Sequence, residues 1–394
     1  MFKKFLWRDC VFIIVLITAI ALPAYIHTNY PQAFSRFFYP VEAWFTKRDL
    51  RCSKNAPHFL RQLLIEMIDE QKSLNNQVAF WHNGQLFHCE SGWEDGFRGE
   101  KPMRVNSRFR YASVTKVLTS ALVLHAINEQ KLSLDSKIIE LLELPAPKDP
   151  RVAAITIKML LEHSAGFDRL KTYMPMLTMD VKPWCPTNLA QLSKTKLDFD
   201  PETQFQYSNV GYCLLGAAIE KAYGRTFQSV AEDYFQLKKY GIAFVGDRFL
   251  PDEIQYDYRF ESFYSEFYLK HFDFKDSLYA VGGLSGSAAD IVQLLAALPK
   301  EAPLTIFSHN HTPCSINMLD ACYGYALQPY QASGQSYTLW GKSGFFPGVN
   351  TDVFLDEQGN ILATLRAASA KKTADTLLLR QYAYSLMNEY VNQK

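Results

Sequence analysis

"RFRYASVTKVLTSALVLHAINEQ", residues 108–130, passes from a polar loop into an apolar helix and sets Ser113 three residues before Lys116 at the junction. Val117, Leu118, Ala121, Leu122, Leu124 and Ile127 recur at helical spacing, which predicts a helix from Ser113 to about Gln130 with a buried stripe. A serine at such a start is surrounded by unpaired first-turn N–H groups and the positive end of the helix dipole, which favours an oxyanion there. Lys116, one turn on, projects from the same face and supplies the adjacent base that a weak hydroxyl nucleophile needs. The plainer alternative is a serine N-cap followed by a lysine reaching to solvent. Spacing alone does not choose between them, because Ser193/Lys196 and Ser369/Lys372 repeat it.

Upstream, His58 to Gln71 has helical apolar spacing, and "QVAFWHNGQLFHCE" (77–90) predicts a hairpin turning at Asn83-Gly84. Downstream, helices are expected near 157–162, 211–223 and 287–298. After residue 320 the pattern reverts to strands, Tyr337–Gly341, Thr351–Leu355 and Ile361–Leu365 with "DEQGN" as a turn, and a helix from about Ala374 to Val391 closes the chain. Strands at both ends with helices between them predict an α+β fold. One antiparallel sheet is built from both chain ends and flanked by helices, with a mostly helical subdomain inserted. The expected division is an α/β part at about 55–112 and 315–394 and a helical part at about 113–314, together one domain over 55–394.

The 394 residues are 48% hydrophobic, enough for a large core, and 41 basic against 40 acidic side chains leave a formal charge of +1. No basic run alternates with aromatics, which argues against a nucleic-acid partner. Residues 1–26 carry Lys3, Lys4 and Arg8 ahead of an apolar run from Val11 to Ile26, the pattern of an export segment. It serves either as an uncleaved inner-membrane anchor or as a signal removed after Ala21, and both place the remainder in the periplasm or otherwise outside the cytoplasm. Residues 27–54, aromatic and charged without clear periodicity, are expected to be a linker. Beyond Cys10 six cysteines follow; a chain of this size does not require disulfides, though Cys314/Cys322 is a candidate bridge.

Two more polar elements stand out. "YSN", Tyr207-Ser208-Asn209, precedes a helix, whereas its twin Tyr390-Val391-Asn392 lies within the closing helix. "WGKSGFFPG" (340–348) ends a strand with Lys342-Ser343-Gly344, where glycine permits close backbone approach and the lysine supplies a cation for an anionic group. A Walker phosphate loop fails there, since Ser336 stands where its first glycine belongs. Likewise "GLSGS" (283–287) has Ser287 where a hydrolase elbow needs glycine. His163 in "LEHSAGF" is read as structuring its loop rather than as a triad base. His309 and His311 have no third ligand at sensible spacing, so no metal and no cofactor are expected.

Serine-x-x-lysine, tyrosine-x-asparagine and lysine-hydroxyl-glycine, in that order, resemble the serine β-lactamase and penicillin-binding protein family. The tyrosine form of the middle element is similar to the class C β-lactamase branch, with its D-alanyl-D-alanine peptidase and esterase relatives. "RFRYASVTKVLTSALVLHAINEQKLSLDSKI", "ITIKMLLEHSAGF", "QYSNVGYCLLGAAIEKAYGRTF" and "GGLSGSAADIVQLL" extend the likeness over about residues 58–390.

The resemblance implies Ser113 as the acylated nucleophile, with Lys116 and Tyr207 sharing its proton. It implies Asn209 on the substrate amide and beside Lys116, and Lys342 and Ser343 on a substrate carboxylate. The N–H groups of Ser113 and Phe345, with Gly344 between strand and nucleophile, would form the oxyanion hole. For Lys116 to act as a base it must be neutral, which a second cation at Lys342 would favour. Phe345-Phe346 departs from the small residues common at that place, and two rings there are expected to narrow the acyl site. No serine-aspartate-asparagine element is present, so a glutamate-activated water is not supported. The implied activity is an exported serine hydrolase acting on D-alanyl peptides, β-lactams or small esters, and the alternative is a penicillin- or peptide-binding sensor with little turnover.

Overall fold

A computed structural model describes residues 7–168, 172, 183–245, 249–260, 278–308, 314–368 and 373–392. Its centre is the hairpin of β2 (Asn76–His82) and β3 (Gln85–Ser91), after the short β1 (Arg51–Cys52). Asn83 and Gly84 turn it with φ of 49° and 77°, the paired positive values that fit the right-handed twist of the flanking strands. Short strands β4 (Phe109–Arg110), β5 (Ala243–Phe244) and β6 (Leu284–Gly286) form a separate three-stranded sheet in the order β4-β6-β5. Four late strands, β7 (Gln328–Tyr330), β8 (Leu339–Phe346), β9 (Val349–Leu355) and β10 (Ile361–Arg366), complete an antiparallel sheet ordered β1-β3-β2-β10-β9-β8-β7. Strands from both chain ends thus meet where β2 pairs with β10, from Ile361 opposite Trp81 to Arg366 opposite Asn76.

Every residue of β9 and β10 is buried, because helices cover both faces of the sheet. Leu362, Phe80 and Val78 pack against the helix His58–Asp69 and the closing helix Thr373–Asn392. The alternate residues Ala363, Leu365 and Val353 face the larger cluster that holds the helices Thr115–Asn128, Asn209–Tyr223 and Ala288–Ala296. The α+β class with helices inserted between strand groups agrees with the sequence reading.

Two expectations are corrected. The stretch 27–54, read as a linker, is largely helical: α1 spans Trp7–Asn29 and α2 spans Pro31–Arg48. α2 lies on the domain through buried Tyr39 and Ala43, through Lys47 on Asp69 at 2.7 Å, and through Glu42, which pairs with Arg259. The cysteines are also more committed than expected, since Cys52–Cys89, Cys185–Cys213 and Cys314–Cys322 are all joined. Among the described residues no helix is long and apolar enough to cross a membrane. The pairs His309/His311 and Ser369/Lys372 lie outside the described residues.

Candidate active site

α3 (His58–Asp69) and the hairpin lie behind the cleft; α4 (Thr115–Asn128) carries its chemistry. Ahead of α4 a single 3-10 turn, Ala112–Val114, holds Ser113, and it is entered through Ala112 at φ 47°, a left-handed value rare outside glycine. Such a turn lifts the serine out of the helical ladder, and no side-chain cap bond is made at the start of α4. Ser113 is therefore not the N-cap of the plainer reading; its oxygen is engaged instead by two partners. Lys116 Nζ donates to Ser113 Oγ at 3.2 Å and to the Val281 carbonyl at 2.8 Å, and Tyr207 Oη donates to the same Oγ at 2.7 Å. Lys116 is fully buried, with its ammonium over the rings of Tyr207 and Tyr212 at 5.1 and 5.5 Å.

The short helices α5 (Ile138–Leu141) and α6 (Ile157–Leu161) lead to His163, which stands under Tyr207. Its ring centroid is 4.5 Å from that of Tyr207, and its Nδ1 accepts the Ser208 backbone N–H at 3.1 Å. Burial, then the nearby Lys342 and Lys116 charges, hold its pKa well below the ordinary histidine value. A neutral imidazole thus fixes the entry of α7 (Asn209–Tyr223) without adding a third cation. Asn209 opens α7, and its Oδ1 is buried with no hydrogen-bond partner. An unpartnered buried acceptor invites a donor such as a substrate amide N–H.

β8 closes the other side. A Cβ on Gly344 would stand 2.9 Å from Ser113 N and 3.0 Å from Val114 N, and closer still to the Tyr111 carbonyl. Glycine is required there because the strand backbone lies directly on the turn that carries Ser113. Lys342 is buried, its Nζ 4.6 Å from the Tyr207 ring centroid and donating to Tyr323 Oη at 2.8 Å. Ser113, Lys116, Tyr207 and Lys342 are brought together.

Ser343 and the phenylalanines are placed differently. Ser343 stands opposite Asp352 on β9 and donates to its carboxylate at 2.5 Å, while Asp352 also takes Arg366 at 2.9 Å in a fully buried pair. The Ser343 proton is therefore directed to the neighbouring strand of the sheet. Phe345 is 46% exposed and Phe346 7%, because neighbours on a strand point to opposite faces. Phe346 packs into the core against Gly282, on the face of β8 shared by Lys342 and Gly344, and Phe345 points to the opposite face, so the two rings do not stand side by side.

Tyr323 and the Val281 carbonyl were not anticipated from the sequence. Neither carries a motif; the only local signal for Tyr323 is its place next to Cys322 in a short disulfide loop.

The Beta-lactamase family model matches residues 60–384. The chain is 95% identical over 394 residues, all of both chains, to the probable fimbrial assembly protein FimD, serogroup H1, of Dichelobacter nodosus. It is 24% identical over 322 residues to penicillin-binding protein 4* of Bacillus subtilis (strain 168), covering 74% of this chain and 67% of that one. In fold it is similar to the D-amino acid amidase from Ochrobactrum anthropi SV3 complexed with L-phenylalanine amide, with a TM-score of 0.68 at 20% identity over 85% of this chain and 98% of that chain. A family match that begins within the first core helix and runs into the closing one spans both sides of the cleft, and this chain belongs to the Beta-lactamase family of serine hydrolases.

Proposed function

We propose that the protein is an exported hydrolase that acylates Ser113 with the carbonyl carbon of a D-alanyl peptide, a β-lactam or a small ester, and then releases the acyl group to water. The carrying observation is that one serine oxygen has both Tyr207 Oη at 2.7 Å and Lys116 Nζ at 3.2 Å within reach. Ser113 Oγ attacks the carbonyl as its proton passes to Tyr207 or Lys116, in whichever basic form takes it. The bond to the leaving nitrogen or oxygen then breaks, and the same proton goes to the leaving group. Backbone N–H groups of Ser113 and Phe345 would stabilise the oxyanion, each by about 2.7–4 kcal/mol. Asn209 would receive a substrate amide, and Lys342 a substrate carboxylate.

Mass spectrometry of the folded protein after a fluorescent penicillin or an activated ester tests the acylation: an adduct on Ser113 is expected, and its absence with both reagents counts against the reading. Nitrocefin, a D-alanyl-D-alanine peptide and a short-chain p-nitrophenyl ester then rank the substrate classes. The second reading is a sensor that acylates without turnover. One stoichiometric burst without steady-state product supports it, and sustained turnover excludes it.

We place this chemistry outside the cytoplasm. The side chains of α1 from Val11 to Leu22 that are apolar and exposed, Phe12 at 67% and Ile20 at 65% among them, support attachment to the inner membrane through that helix. Recovery of the full chain in the soluble fraction after carbonate extraction would remove the attachment. The name of the 95% identical relative suggests an envelope role, for which peptide hydrolysis is a suitable chemistry.

A further inference from the structure

Tyr323 follows directly on the disulfide Cys314–Cys322, and contacts of both its hydroxyl and its ring hold it. The oxygen accepts a hydrogen bond from Lys342 Nζ at 2.8 Å. The ring is stacked on Phe205 at 5.6 Å and 17°, and meets the His163 ring at 4.6 Å. A lysine ammonium on a flexible four-carbon stem takes its position from the groups it donates to. An acceptor held this firmly determines where the Lys342 charge sits. The kind of acceptor matters as well: a carboxylate there would cancel the charge, whereas a phenol fixes the ammonium and leaves it cationic. Burial raises the Tyr323 pKa well above the ordinary tyrosine value, so the phenol stays neutral through any working pH.

We propose that Tyr323 is a positioning residue that holds the Lys342 ammonium in place without neutralising it, and so favours acyl substrates bearing a carboxylate over neutral ones at this site. It rests on the reading that Ser113 is acylated and that Lys342 meets the substrate anion. The surroundings agree with a positioning role: the Tyr323 ring is packed on Phe205 and His163, and His163 in turn lies against the Tyr207 ring at 4.5 Å.

The test uses the full chain and two esters of the same acyl group, m-carboxyphenyl and phenyl, and reads the ratio of their kcat/KM values. Tyr323→Phe is expected to lower that ratio at least tenfold, mainly by raising KM for the anionic ester. In a Lys342→Met background the same change is expected to move the ratio less than twofold. An unchanged ratio in Tyr323→Phe, or an equal drop without Lys342, overturns the proposal, because a merely structural tyrosine would act whether or not the lysine is present. If thermal melting shows that Tyr323→Phe does not fold, Tyr323→Gln is read in its place. It keeps an oxygen acceptor and is expected to hold the ratio within threefold of the parent, and a fall to the Lys342→Met level overturns the proposal. Mass analysis of the parent enzyme after an activated ester separates the two levels of inference. With a Ser113 adduct, failure falls on Tyr323 alone; with none, the hydrolase reading and this one fall together.

Discussion

Tyr207 Oη stands nearer to Ser113 Oγ than does Lys116 Nζ, 2.7 against 3.2 Å, and Lys116 spends a further proton on the Val281 carbonyl at 2.8 Å. The two candidate bases are thus unequal in geometry as well as in chemistry. The tyrosine makes the shorter bond, while the lysine is anchored to a backbone oxygen that keeps its nitrogen beside the serine. Lys116→Ala should lower the acylation rate at least ~10²-fold, the lower end of general-base contributions. Tyr207→Phe, which keeps the ring over both lysines and removes only the hydroxyl, should fall as far if the phenol carries the proton. Stopped-flow acylation of each variant checks this, and near-native rates in Lys116→Ala would remove that residue from the proton path.

Gly344→Ala addresses the strand side of the cleft. The added methyl would meet Ser113 N at 2.9 Å and Val114 N at 3.0 Å, and neither backbone nitrogen can rotate away. β8 must move off the nucleophile turn, at an overpacking cost of about 1–3 kcal/mol. The oxyanion donors move with it, so kcat/KM for any ester should fall at least tenfold alongside a lower Tm. Retention of full activity would mean that strand and turn are not held in the close contact described.

Much of this arrangement was legible because its signals are local. The Asn83-Gly84 turn, the 3.6-residue stripe of α4 and the short strand pattern after residue 350 each arise from neighbours in sequence, and each element appears where that pattern put it. α2 was not legible, since its apolar contact with the domain is narrow and its ion pair reaches Arg259, 217 residues away. Tyr323 was hidden for the same reason: its partners Lys342, Phe205 and His163 lie far off in sequence and only tertiary folding brings them together. The direction of Ser343 depends on cross-strand register with Asp352, which a motif does not encode.

Glu162, next to His163, should leave a signature in pH-dependent stability. Burial, with Glu202 adding and Lys158 opposing, pushes its pKa up from 4.5 to about 7, and its Oε1 is buried without a hydrogen-bond partner. A raised carboxyl pKa means that the folded state holds the proton more tightly than the unfolded state. Its stabilising effect is therefore complete below pH 4.5 and is lost as the pH rises through about 7. His163 works in the opposite sense, its lowered pKa adding stability as the pH rises toward the ordinary histidine value. Comparing Glu162→Gln with the parent cancels the histidine. The Tm difference, variant minus parent, should be more positive at pH 8 than at pH 5 by roughly 2 °C, given the size of the domain and the partial exposure of the carboxyl. An identical difference at both pH values would show that Glu162 titrates normally.

Ser343 separates a structural from a substrate-binding hydroxyl. If its proton belongs to Asp352, at 2.5 Å, then Ser343→Ala removes one hydrogen bond from a carboxylate that still has Arg366 at 2.9 Å. The cost should be about 1.5–3 kcal/mol of folding stability, the usual range for a hydrogen bond to a charged acceptor. KM for a carboxylate-bearing substrate should change less than threefold, since Lys342 bears the charge contact. Lys342→Ala should do the reverse, raising that KM at least tenfold with a smaller effect on a neutral ester. Urea denaturation and steady-state kinetics on both variants read the two quantities independently. A large KM effect in Ser343→Ala with unchanged stability would turn the hydroxyl toward the cleft and restore the role its motif implies.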